Sequence, residues 1–265
     1  MHTSKMPSDI DILGIKQEIN SIEDYVDWTT NYSPYQNGKW KTISLFNQSG
    51  ISTDTTIRDG EVKLTDLSCR LPKTTKIIEQ LNLDIISVRI AQIGPNGFLW
   101  EHVDYKELDD KKKHRLHIPI VTHEDARMCF TNYSICMTYG KIWKLNPTTP
   151  HGIYNGSDIN RIHIIIDCYE NSYLDNICFN KLEKHEIKKL PQNDITNYIN
   201  KATRLASLGF YKPAESLILK LFHRYTLEPG EPYKVLMSIY ESIGNLSKHQ
   251  EWKDKKTMFM GNFPR

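Results

Sequence analysis

The feature that most constrains the fold is a succession of short β-rich runs between residues 40 and 169, each five to nine residues long and each closed by turn-forming residues. They read WKTISLF, ISVRIAQI, RLHIPIV, ARMCF, SICMTY, KIWKL and RIHIIIDCY. Each is a short β-rich run separated from the next by turn residues. The breaks fall at Gly94-Pro95-Asn96-Gly97, Thr131-Asn132-Tyr133, Gly140, Pro147 with Pro150, and Asn155-Gly156-Ser157-Asp158, where glycine, proline and the short polar side chains favour turns over continued strand. Strands this short and closely spaced connect antiparallel. The expectation is a mainly β architecture, a sandwich or a barrel.

The flanks differ. Residues 9–28 carry Ile10, Ile12, Leu13, Ile15, Ile19, Ile22, Tyr25 and Val26 at mixed helical spacing, which predicts one or two packing helices. Residues 71–81 predict another, with Pro72 near its start and Ile77, Ile78 and Leu81 three and four apart, covering one face of the β core. After Tyr173 the periodicity turns helical almost to the end, with breaks at 209–213 and 228–232. The expected division is a β-rich domain over residues 1–179, including the N-terminal helices, and an all-α unit over residues 180–265. Leu205 and Gly209 recur as Tyr240 and Gly244 at an offset of 35, close to the period of tetratricopeptide-type helix pairs. A plain helical bundle accounts for the segment equally well.

A chain of 265 residues with 39% hydrophobic content can bury one full core plus a smaller appended one. A net charge of +2 from 34 basic and 32 acidic residues gives no field that would direct it to nucleic acid or an anionic membrane. Cysteines 69, 129, 136, 168 and 178 are odd in number and form no CxxC pair, which argues against a disulfide framework or a structural zinc site and suits a reducing cytoplasm. The N-terminus has no apolar core of a signal peptide, and no apolar run approaches the length of a membrane span. A cytoplasmic protein is expected.

Chemistry concentrates in Trp100-Glu101-His102-Val103-Asp104 and, much later, Thr149-Pro150-His151-Gly152. Side chains two apart on a strand share a face, so His102 and Asp104 can aim into one cavity. With His151 from a facing strand they would form a 2-His-1-carboxylate set, which leaves open positions on an octahedral iron(II). A short HxD occurs by chance in many chains, and ten histidines are available here. The motif gains weight from Arg161, ten residues after His151 on the run RIHIIIDCY. An inward arginine there suits the far carboxylate of 2-oxoglutarate, and a buried arginine without an anionic partner would be costly. Arg115 and His117 also share a strand face. Either could help hold the cosubstrate; equally, Arg115 could pair with a surface carboxylate and His117 could be a core residue.

The segments VRIAQIGPNGFLWEHVDY, HRLHIPIV and GKIWKLNPTTPHGIYNGSDINRIHIIIDC resemble, in order and spacing, the aspartyl/asparaginyl β-hydroxylase family over about residues 85–170. Within it the chain is most similar to the bacterial amino-acid hydroxylases of the cis-proline type, which also carry a helical C-terminal extension. The resemblance implies a double-stranded β-helix (jelly-roll or cupin-like) core and an Fe(II)/2-oxoglutarate-dependent dioxygenase using O2. It implies His102, Asp104 and His151 as iron ligands, Arg161 on the distal carboxylate of 2-oxoglutarate, and Arg115 with His117 near the keto-acid end. Arg89 takes a position that looks toward substrate in those relatives, and is a candidate carboxylate anchor; a structural ion pair is the alternative. His163, on the strand face of Arg161, would support the pocket. Halogenating relatives replace the carboxylate ligand by a small residue, so Asp104 points to hydroxylation.

The implied substrate is a free amino acid. The alternative is a residue in a peptide or carrier-bound intermediate, with the helical unit as docking surface; that unit could instead complete the core or mediate a homodimer. Two other classes compete: a cupin-type metal protein that is not an oxygenase, and an interaction module built on the helical tail. The first does not need Arg161 at that spacing or any keto acid, and the second makes no use of the triad. Trp100, Tyr105, Tyr139, Trp143 and Tyr154 could line a pocket or fill the core, and Lys111 to Lys113, beside Asp109 and Asp110, predict a solvated loop or lid.

Overall fold

The computed structural model describes residues 1–6, 11–30, 35–104, 113–146, 148–177 and 179–261. The chain forms thirteen described strands: β1 (His2–Lys5), β2 (Trp40–Asn47), β3 (Lys63–Leu64), β4 (Asp84–Ile93), β5 (Phe98–His102), β6 (Lys113–Val121), β7 (Ala126–Cys129), β8 (Tyr133–Cys136), β9 (Lys141–Leu145), β10 (His151–Asn155), β11 (Arg161–Tyr169), β12 (Asn180–Lys181) and β13 (Ile187–Lys189). Eight of them make one sheet in the order β12-β1-β9-β6-β11-β4-β2-β3, and five make a second in the order β13-β8-β7-β10-β5. Every pairing is antiparallel. The mainly β expectation therefore holds.

The period of two along the central strands of the large sheet sorts their residues into two environments. Even-numbered Val88, Ile90, Leu116, Ile118, Ile162, Ile164 and Ile166 point to one face and build an apolar core. That core is roofed by α1 (Ile12–Ile22), through Ile15 and Ile19, and by α2 (Pro72–Gln80), through Ile77 and Ile78. Asp11 caps α1 by accepting from the Gly14 amide at 2.8 Å, and Pro72 opens α2, where its missing N–H costs nothing. Odd-numbered neighbours point the other way. Ala91, Ile93 and Ile165 pack with Leu99, Met128, Ile135 and Ile153 of the small sheet in a second core, and beside them the same face carries Arg89, Arg115, His117, Arg161, His163 and Asp167, all buried.

Two parts of the sheets lack a sequence signal. β1 is four residues of HTSK, held by backbone pairing to β9 and β12. β12 and β13 follow the expected boundary at residue 180, yet pair with β1 and β8 respectively. The helices of the C-terminal part begin later, as α4 (Thr196–Ser207), α5 (Tyr211–Leu219), α6 (Glu231–Ser242) and α7 (Leu246–Met260), after the short α3 (Ser172–Asn176). Gly209 and Gly244, with φ of +84° and +72°, turn α4 into α5 and α6 into α7, so the offset of 35 corresponds to two successive helix pairs. Their core, including Ala202, Ile218, Tyr233, Leu236, Tyr240 and Trp252, is continuous with Phe98 on β5.

Cys69, Cys129, Cys136 and Cys168 are unpaired, and Cys178 lies outside the described residues. Among the described residues no helix is long and apolar enough to cross a membrane.

Ile164 is fully buried at the centre of the first core, so Ile164→Ala is expected to destabilise the chain by about 2–5 kcal/mol in urea unfolding. Leu246→Ala, at a side chain 70% exposed, should shift the same curve by less than about 0.5 kcal/mol.

Candidate metal centre

The site forms where β5 and β10 lie side by side. His151 pairs in register with His102, and Ile153 with Leu99, so β5 carries one residue more than β10 between the two pairs. This bulge interrupts the alternation. Trp100 joins the core of the C-terminal helices, Glu101 also turns toward them, with its carboxylate 3.0 Å from the Gly230 amide, and His102 returns to the inside. His151 thus comes from the neighbouring strand of the same sheet, a closer relation than the facing strand expected from the sequence.

Both histidine rings are fixed from behind. Nδ1 of His102 lies 2.8 Å from the Trp100 carbonyl, and Nδ1 of His151 lies 2.8 Å from that of Thr149. A carbonyl only accepts, so each Nδ1 carries the hydrogen and each Nε2 keeps its lone pair for the cavity. His102 Nε2 is 3.8 Å from Asp104 Oδ1, and His151 Nε2 is 3.5 Å from Asp104 Oδ2. One donor atom from each of the three residues falls within 4.8 Å of the others. Burial, with His151 alongside, brings the His102 imidazole down to about 4. Burial pushes the Asp104 carboxyl up, but Arg115 and the two histidines outweigh it and hold it well below the usual carboxylate range. Uncharged His102 beside an ionised carboxylate is the state that a divalent cation requires. Donor types, spacing and fixed tautomers all fit such an ion bound at about 2 Å per ligand.

Behind Asp104 runs a chain of buried charges. Arg115 pairs with Asp104 through NH1 and donates from Nε to Asp167 Oδ1 at 2.7 Å. The other Asp167 oxygen accepts from Arg89 NH1 at 3.1 Å and from the Ser87 hydroxyl at 3.2 Å. The ion-pair alternative for Arg89 is therefore realised, while its side chain still lines the central cavity. That cavity is also lined by Tyr35, Trp40, Leu99, His102, Asp104, Arg115, His117, Met128, Leu145, His151, Ile153 and Ile165.

Arg161 stands deeper. It is 1% exposed, and its NH2 lies 3.1 Å from His163 Nδ1 and 3.9 Å from the Met137 sulfur. Its Nε and NH1 meet no hydrogen-bond partner among the described residues, nor does either ring nitrogen of His117. Burial brings the Arg161 guanidinium down to about 10, which leaves it charged at neutral pH. Burial, and then Arg161, push His117 and His163 well below their ordinary values, so both are neutral. The His163 and His117 rings are 5.8 Å apart; His163 contacts Arg161, and His117 lines the cavity.

The structure thus brings His102, Asp104, His151, Arg115, His117 and Arg89 around one cavity and sets Arg161 beyond it. Asp167 was missed by the sequence reading, although its strand parity with Arg161 and His163 was available as a signal. Tyr35 and Trp40 had none. Trp100 and Tyr154 pack toward the C-terminal helices, Trp143 fills the inner core, Tyr139 is exposed and Tyr105 lies outside the described residues. Asp109, Asp110, Lys111 and Lys112 also lie outside them. Lys113 belongs to β6 and pairs with Asp59 at 2.8 Å, so it is strand and not loop.

Gly152 leaves no room for a side chain, since a Cβ there would stand 2.8 Å from the His223 ring and 2.9 Å from the Leu99 carbonyl. Gly152→Ala must therefore displace the strand beside His151. We expect Mn(II) affinity, measured by equilibrium titration, to fall about tenfold or more.

The model of the aspartyl/asparaginyl β-hydroxylase family matches residues 11–171, more than half of the chain. The L-proline cis-4-hydroxylase of Rhizobium meliloti (strain 1021) is 22% identical over 95% of this chain and 92% of its own. An L-proline cis-3-hydroxylase of a Streptomyces species is 23% identical over 81% and 79%. Among solved structures, an oxidoreductase of the 2OG-Fe(II) oxygenase family from Burkholderia pseudomallei aligns at a TM-score of 0.41 with 11% identity, over 64% of this chain and 85% of its own. The order and spacing of the motifs and the span of the family match lead to one assignment: the chain belongs to the aspartyl/asparaginyl β-hydroxylase family.

Proposed function

We propose that this protein is an Fe(II)/2-oxoglutarate-dependent dioxygenase that hydroxylates an unactivated C–H bond of a free amino acid. The observation that carries the proposal is the convergence of His102, Asp104 and His151 within 4.8 Å of one another, in a cavity lined by His117, with the buried Arg161, whose Nε and NH1 have no hydrogen-bond partner among the described residues, set beyond it. In this reading the three residues hold the iron, and the two sheets are the double-stranded β-helix core, with α4–α7 as a C-terminal unit. The bound metal and keto acid supply the oxidising power: O2 converts 2-oxoglutarate to succinate and CO2, with one oxygen atom going to succinate and the other to the substrate as hydroxyl.

The chain's own residues bind and orient. Arg161 receives the distal carboxylate of 2-oxoglutarate by a charge-assisted contact that its free Nε and NH1 are able to make. His117, neutral and with both ring nitrogens available, lines the cavity beside His163, the neighbour of Arg161. Arg115 fixes the orientation of Asp104 and faces the keto-acid end. Arg89, held by Asp167 at the cavity wall, is placed to attract a substrate carboxylate. The surrounding Trp40, Leu99, Met128, Leu145 and Ile153 exclude water and give the reacting carbon an apolar setting. A free amino acid is supported by the relatives named as proline hydroxylases; a peptide-borne residue is the second reading. A cupin-type protein without oxygenase activity would leave the buried charge of Arg161 without a purpose.

The test is succinate release by iron-loaded protein with 2-oxoglutarate, O2 and a panel of free amino acids. Asp104→Ala should abolish it. Arg161→Gln should raise the KM for 2-oxoglutarate on the order of 100-fold, as expected when one member of a buried charge pair is removed, with a smaller change in kcat. Turnover like that of the unmodified protein in Asp104→Ala, or an unchanged KM in Arg161→Gln, would refute the assignment.

A further inference from the structure

The two residues that flank His102 are held by the C-terminal helices. Glu101 points away from the cavity, and both its carboxylate oxygens lie 3.0–3.1 Å from the Gly230 amide, at the start of α6. The Tyr233 hydroxyl, one turn into α6, donates to the Glu101 carbonyl. On the other side of His102, the Val103 amide donates to the Phe259 carbonyl at 2.9 Å, in the last turn of α7. These contacts bracket His102, the last residue of β5, just past the bulge and paired there with His151 alone. His102 and Asp104 project inward from the stretch that α6 and α7 grip from outside. Tyr233 is fully buried in the helical core, so its hydroxyl is fixed by packing and not by a mobile surface.

We infer that the C-terminal helices are a built-in template for the metal ligands, with Tyr233 and Glu101 as positioning residues that set where His102 and Asp104 point. The inference rests on the metal reading of the site. It also assigns the helical unit a role other than docking a macromolecular substrate. Partners that orient metal ligands from outside the coordination sphere typically alter affinity 10–100-fold when removed.

The experiment uses Co(II) and the full chain, with affinity read by titration, ligand geometry by the visible d–d spectrum, and metal-free stability by a separate thermal melt. Tyr233→Phe should weaken Co(II) binding about tenfold and change the spectrum. Tyr240→Phe removes another buried hydroxyl of the same helical core, one that donates to Glu215 at 2.8 Å, and should leave both metal readouts unchanged whatever it does to the melt. If Tyr233→Phe does not fold, Glu101→Ala and Glu101→Gln make the same comparison: alanine loses affinity, and glutamine, which keeps an acceptor for Gly230, recovers most of it. Affinity and spectrum like those of the unmodified protein in Tyr233→Phe, equal losses in Tyr233→Phe and Tyr240→Phe, or alanine and glutamine behaving alike would each overturn the inference. Failure of the unmodified chain to bind Co(II) would instead remove the metal reading, and the inference with it.

Discussion

Three buried guanidiniums on the inner face of one sheet are the constraint that organises the rest of the molecule. Arg89, Arg115 and Arg161 sit on adjacent strands, each at most 4% exposed, where an uncompensated charge would cost several kcal/mol. Asp167 meets two of them with its two oxygens, and Arg115 extends the chain to Asp104. The carboxylate that faces the two histidines is thereby oriented before any cation arrives. Arg161 is left with Nε and NH1 meeting no hydrogen-bond partner among the described residues. Electrostatics, and not apolar packing, gives this face its specificity.

Much of this was legible in the sequence because strand parity is a strict rule. Arg115 with His117 and Arg161 with His163 follow from side chains two apart sharing a face; His102 ends β5, so Asp104 reaches the same cavity from just past the strand. His102 itself departs from simple alternation: a bulge before it turns Glu101 outward and returns His102 to the cavity. A bulge depends on pairing with a distant strand, here β10, and a single strand's sequence does not record it. The role of Asp167 as a shared counter-charge was hidden for the same reason. Its partners come from β4 and β6, some 80 and 50 residues earlier. β1, β12 and β13 were invisible because they are too short to show a period, and it is backbone pairing with other strands that defines them.

The periodicity after Tyr173 predicted the C-terminal helices and left open whether they complete the core. Their core includes Phe98 and packs against Trp100 and Tyr154, and their contacts reach Glu101 and Val103, the two residues that flank His102. The helices cover Phe98, Trp100 and Tyr154 on the outer face of the small sheet, much as α1 and α2 cover the outer face of the large one. Removing residues 180–265 would expose that surface as well as taking away β12 and β13. Two sheets, each roofed on the outside by helices, leave the polar chemistry on the enclosed inner faces.

The most direct measurement is an anaerobic crystal structure of the chain with Mn(II) and 2-oxoglutarate. The account predicts metal density bound by Nε2 of His102, Nε2 of His151 and the Asp104 carboxylate, chelated by the keto-acid end of 2-oxoglutarate, with the distal carboxylate on Arg161. Metal bound elsewhere, or a dicarboxylate that leaves Arg161 without an anion, would contradict it.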